Sequence, residues 1–200
     1  DDPQGIVSLP DGLLFVADRG LDAIKTVREN EAASTLAGSL NLKPFSIAFN
    51  ANDEMIYFAE EAGNLVYAFK TASCSSGSCS VSVEAGQSGL QSVQDGTGRA
   101  EDGGEGTAAF QGIMSMVHDP TSNTLYIGEA TAIRAIDTSS PTKNVTTVAG
   151  NAAAVLADEP GLQLSHVTGI CIIGPNNIAF VDHGNHRIRM LSLVGPPPPP

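Results

Sequence analysis

Asp182, His183 and His186 bring a carboxylate and two imidazoles into one short stretch. Such side chains can ligate a divalent cation, but a metal site needs further ligands converging from elsewhere. The other two histidines, His118 and His166, stand at different places in their own segments. His183 and His186 are therefore weak metal candidates. A structural role, holding the loop by hydrogen bonds, is favoured, and no cofactor is expected. An acidic, glycine-rich run from Asp95 to Glu105 resembles a calcium loop only in composition, since Arg99 breaks the required alternation of oxygen ligands. It is expected to be a solvated connection. No nucleophile elbow, phosphate loop or HExxH pattern occurs, so catalysis is not expected.

Two further groups bear covalent chemistry. Cys74 and Cys79 flank Ser-Ser-Gly-Ser, a small-residue loop suited to a local disulfide. Two free thiols and half of a zinc site are the alternatives, and the disulfide is favoured because no second ligand pair stands at zinc spacing. Cys171, among Ile170, Ile172 and Ile173, reads as a buried small apolar residue. Asn144-Val145-Thr146 is the one N-glycosylation acceptor sequence, placed where a loop enters a strand.

The elements that carry these groups repeat. Each unit has an apolar strand, a turn, a second strand ending at an acid, a polar loop and a third strand. The units run over about 4–38, 45–86, 112–150 and 169–195, with Asp18, Glu60, Glu129 and Asp182 as the acids. An aliphatic residue stands six positions beyond the acid in three units (Ile24, Val66, Ile188) and four beyond it in the third (Ile133). Three units close with a strand ending Ala-Gly, at Gly38, Gly86 and Gly150. The acids lie 42, 69 and 53 residues apart. Repeats of ~40–45 residues with four strands each predict an all-β chain folded as a β-propeller. The fourth unit lacks a closing strand, because Val194-Gly195 leads directly into proline. The ring therefore closes with four blades, is an arc of a larger one, or is completed by a neighbouring chain, the last two being favoured.

Asp182 with Asn185-His186-Arg187-Ile188-Arg189 resembles the hallmark of NHL repeats, and the Ala-Gly strands are similar to those that close such repeats. Asp102 to Phe110 is similar to the glycine-rich lead-in of an NHL blade. The resemblance makes Asp18, Asp182, Asn185, His186 and Arg187 the repeat's marker residues and implies four-stranded blades. It implies no single function, because propellers host unrelated ones. Some secreted NHL propellers are metal-dependent lyases that draw on His, Tyr and Arg from several blades. Here Tyr57, Tyr67 and Tyr126 all fall inside strands.

Charge narrows the partners. Ten basic against 22 acidic residues give a net charge of -12, with no basic cluster, so nucleic acid is rejected as a partner. No apolar run is long enough to span a membrane. A chain that opens at Asp1, inside its first unit, is expected to be processed or part of something longer. Five prolines, Pro196 to Pro200, form a polyproline II tail or linker that cannot join a sheet interior. A propeller feeding such a tail resembles algal hydroxyproline-rich extracellular glycoproteins of cell walls or mastigonemes. That resemblance implies hydroxylation and O-glycosylation at Pro196, Pro197, Pro198, Pro199 and Pro200. The expectation is a non-enzymatic extracellular or cell-surface module of a glycoprotein assembly, a filament or matrix component. Its partners would be other protein chains and covalently attached glycans. The alternatives are a secreted metal-dependent lyase or hydrolase and an intracellular scaffold.

Overall fold

The computed structural model describes residues 2–38, 40–60, 64–75, 77–100, 104–150 and 163–193. Among these residues sixteen strands form four antiparallel sheets, each a blade of a β-propeller. Blade one holds β1 (Pro3–Ser8), β2 (Leu14–Asp18), β3 (Ala23–Val27) and β4 (Ser34–Ala37) in sequential order. Blade two holds β5 (Pro44–Asn50), β6 (Met55–Glu60), β7 (Leu65–Lys70) and β8 (Ser82–Gly86). Blade three adds β9 (Gly96–Thr97) outside β10 (Ser115–Asp119), β11 (Thr124–Gly128), β12 (Ala132–Asp137) and β13 (Asn144–Gly150). Blade four has three described strands, β14 (Val167–Gly174), β15 (Asn177–Asp182) and β16 (Arg187–Ser192).

Turn chemistry explains the punctuation. The first hairpin of each blade turns through a residue with positive φ, namely Gly12 (82°), Glu54 (59°), Asn123 (51°) and Asn176 (60°), the last with Gly174 (152°) nearby. The Ala-Gly ending has a double cause at Gly86 and Gly150. Both have positive φ, and a Cβ there would strike the carbonyl oxygens of Asn64 and Thr131.

Each blade has a rear face toward the preceding blade and a forward face toward the next. The forward face of blade one (Phe15, Ala17, Ile24) packs on Ile47, Ile56, Phe58 and Phe69 of blade two. Blade two's forward face (Ala48, Tyr57, Ala59, Val66) meets Met116, Leu125, Ile127 and Ile136. Blade three's forward face (Tyr126, Ile133) meets Ile178, Phe180 and Leu191. Middle blades are covered on both sides, so β6 and β7 read as almost continuous apolar runs, MIYFAE and LVYAFK. A terminal strand, β16, alternates as RIRMLS. The first strands pack in series, β1 on β5, β5 on β10 and β10 on β14, and among the described residues no comparable contact joins β14 to β1. The four blades form an arc.

Candidate functional site

One acid ends or follows the second strand of each blade, and in three of the four its work is mechanical. Asp18 accepts from the backbone N–H of Asp2 (3.2 Å), Glu129 from that of Gln111 (3.0 Å) and Asp182 from that of Ser165 (2.8 Å). Each acid thus pins the segment that enters the first strand of its own blade, 16–18 residues upstream. Blade two departs from this pattern. There the entering amides of Asn41, Leu42 and Lys43 donate to Asp22 instead. Glu60 is left lining a cleft of about 510 Å³ with Arg19, Gly20, Asp22, Asn41, Leu42 and Lys43. Burial pushes the Glu60 carboxyl above its ordinary range. The cleft offers donors and acceptors of both signs and could seat a polar ligand.

The marker residues of blade four divide. Asn185 Nδ2 donates to both oxygens of Asp182 (3.0 and 2.8 Å) and to the Gln163 carbonyl (2.9 Å), while Arg189 Nε donates to Asp182 at 2.8 Å. His186 contributes backbone shape, with φ 54° at the end of a 3-10 turn over His183–Asn185. The imidazoles of His183 and His186 are exposed, and no group of three or more possible metal ligands forms among the described residues. Arg187 is also exposed, whereas Arg189 holds the ion pair with Asp182.

Sequence reasoning missed the counterpart in blade three. Arg134 is wholly buried and donates to Glu129 Oε1 (3.1 Å), Asp95 Oδ1 (2.9 Å) and the carbonyls of Ala109 and Gln94. Its guanidinium lies 5.4 Å from the Phe110 ring centre. Burial pushes the Glu129 carboxyl up to about 7, against the pull of Arg134. A signal was present in the sequence. The residue after the anchoring aliphatic is Lys25, Tyr67, Arg134 and Arg189 in turn, basic in three of four units. The acidic run is likewise more than a solvated connection: Asp95 caps Arg134, and Gly96–Thr97 pairs with β13 as a fifth strand.

Cys74 and Cys79 form a disulfide in the loop between β7 and β8. Cys171 is a correction: it is an exposed free thiol, because among the described residues no blade covers its face of β14. Asn144 opens β13 and is exposed, as is Thr146. Pro196–Pro200 lie outside the described residues.

At the axis, β1, β5 and β14 begin with irregular pairing, at Pro3/Gly5, Pro44/Ser46 and Val167/Gly169. The extra residues, Gln4, Phe45 and Thr168, line an axial cavity of about 210 Å³ together with Met114 of the third blade. Its remaining lining, including Ser46 and Ser115, adds no titratable side chain. Ser115 Oγ is already engaged, donating to the Val167 carbonyl at 2.9 Å.

The least satisfied surface is the forward face of blade four. By cross-strand register, Cys171, Ala179 and Met190 share this face with Val181 and Ile188. The anchoring aliphatic is 0% exposed at Ile24, Val66 and Ile133, and 81% exposed at Ile188. Met190 (66%) and Val181 (37%) are exposed beside it.

No protein-family model and no curated protein matches the chain. Solved structures do. An auxiliary nutrient binding protein from Bacteroides thetaiotaomicron superposes with a TM-score of 0.68 at 16% identity, over 94% of this chain and 47% of its own. A gluconolactonase from Xanthomonas campestris gives 0.62 at 12%, over 95% and 56%. A catalytically inactive virginiamycin B lyase from Staphylococcus aureus, solved with quinupristin, gives 0.58 at 14%, over 96% and 55%. The chain spans about half the length of these structures. At such identities the likeness is one of fold, and the fold is the β-propeller.

Proposed function

We propose that the chain is a non-enzymatic interaction module of an extracellular glycoprotein assembly, an NHL-like propeller with Pro196–Pro200 as a glycosylated spacer. The observation that carries this reading is the disulfide between Cys74 and Cys79. The Cys74–Cys79 disulfide fits an oxidising compartment, and Asn144 is exposed as a glycan acceptor must be.

Mass spectrometry of native material, before and after reduction, tests the reading. The expected result is a glycan on Asn144, hydroxylated and glycosylated prolines at 196–200, and a linked Cys74–Cys79. A bare Asn144 with unmodified prolines and free thiols would overturn it in favour of an intracellular scaffold.

A further inference from the structure

The repeat supplies its own control for the cleft between blades one and two. At the equivalent place in the other three blades, an entering backbone amide occupies the carboxylate of Asp18, Glu129 or Asp182. In blade two that work has passed to Asp22, whose carboxylate accepts from the amides of Asn41, Leu42 (3.0 Å) and Lys43 (2.9 Å). Three residues in the left-handed region, Asp22 (φ 51°), Asn41 (57°) and Lys43 (44°), shape the connection so that these amides converge. Glu60 is thereby released. It is half-buried, and burial alone raises its carboxyl, with no donor or cation among the described residues to offset the effect. Its neighbours in the cleft are already engaged: Arg19 Nε donates to Asp2 at 2.6 Å, and Asp22 is filled by its three amides. An acceptor withdrawn from water without a donor costs stability, and a ligand that brings the donor restores it.

We propose that this cleft binds a primary ammonium group, carried by a small polar molecule or by a lysine side chain, with the Glu60 carboxylate as its acceptor. An ammonium brings both things that Glu60 lacks, a positive charge and N–H donors for a charge-assisted hydrogen bond. At about 510 Å³ the cleft falls within the range of small organic sites, about 300–1,000 Å³, so it has room for the body that carries the ammonium. That body meets a lining that is polar apart from Gly20 and Leu42, which suits hydroxyl or amide groups. No group of three or more possible metal ligands forms among the described residues, and an organic cation is the better match. The charged and titratable groups around Glu60 are Arg19, Asp22 and Lys43 in the lining and Tyr67 on β7. The Tyr67 phenol is pushed up to about 12, by burial first and by the Glu60 charge next. Ammonium binding favours the ionised carboxylate, so affinity falls as pH drops and Glu60 takes up a proton. The site uses none of the residues that carry the extracellular reading, and goes beyond it.

Titration calorimetry and amide NMR of the 200-residue chain test it with two matched pairs of probes. Glucosamine is set against glucose, and a capped lysine (acetyl-lysine methylamide) against its Nε-acetylated form. At least one ammonium probe is expected to bind saturably, its neutral counterpart at least about tenfold more weakly, with amide shifts at Gly20, Leu42 and Lys43. Preference for glucosamine assigns a free amine, and preference for the capped lysine assigns a partner's side chain. Glu60→Gln should lose about tenfold or more in affinity and should abolish the decline of binding with falling pH. Its urea midpoint should not drop, whereas Asp182→Asn, which weakens a carboxylate that pins its blade, should lower the midpoint. Should Glu60→Gln fail to fold, Glu60→Ser replaces it. Absence of saturable binding by both ammonium probes would overturn the proposal. So would equal binding of the neutral counterparts, or an unchanged affinity in Glu60→Gln. Each of these results leaves a glycan on Asn144, and with it the extracellular reading, untouched.

Discussion

Arg134 heads the wholly buried side chains, and its charge is balanced inside the protein by Glu129 and, nearer the surface, Asp95. Removing one partner of a buried pair strands the other. Arg134→Met should therefore lower stability by about 3–5 kcal/mol in urea titrations, and adding Glu129→Gln should return part of that loss. Two buried residues contribute to the pH dependence with opposite signs. Burial holds the His118 imidazole below its ordinary 6.5, so the unfolded chain binds a proton there before the native one does. Its contribution is complete above that value and is lost as pH falls through the window beneath it. Glu129, raised from 4.5 to about 7, keeps its proton longer when folded, so its contribution is full below 4.5 and is lost as pH rises to about 7. Urea midpoints across pH 4–8 should show His118→Gln less acid-sensitive than wild type, and Glu129→Gln without the loss toward pH 7.

Among the elements, one repeat position gives a matched comparison. Ile24→Ala and Ile133→Ala empty closed seams and should each cost about 2–5 kcal/mol. Ile188→Ala, at the same place in blade four, should stay within about 0.5 kcal/mol in the monomer. Equal losses at all three would show that blade four is covered within a single chain. The disulfide closes a loop of five residues' separation beside the first seam, where Cys79 faces the Leu36 carbonyl. Cys74→Ser with Cys79→Ser should cost about 2 kcal/mol by the same titration. The blades themselves were legible in the sequence, because strand, turn, acid and Ala-Gly ending recur locally. Their contacts were not. Cys171 sits among isoleucines and reads as core, yet its exposure depends on a blade that would have to come from outside its own sheet. Arg134 reads as a surface cation, and it is buried because Gln94, Asp95, Ala109 and Phe110 close over it. Such long-range contacts leave no local trace.

For the whole molecule, the seams and the axis answer to separate rules. Seam positions are tied to the pleat, since each side chain there is fixed by its cross-strand partner and by the blade opposite. Gln4, Phe45 and Thr168 sit where the ladder skips a residue, and Met114 sits just before β10 begins. Their side chains are thus released from the bookkeeping of strand pairing. One exchange at each of these four places would recast the polarity and width of the axial cavity while leaving every sheet intact. The scaffold can thereby keep its architecture while what it admits at its centre is rewritten, four residues at a time.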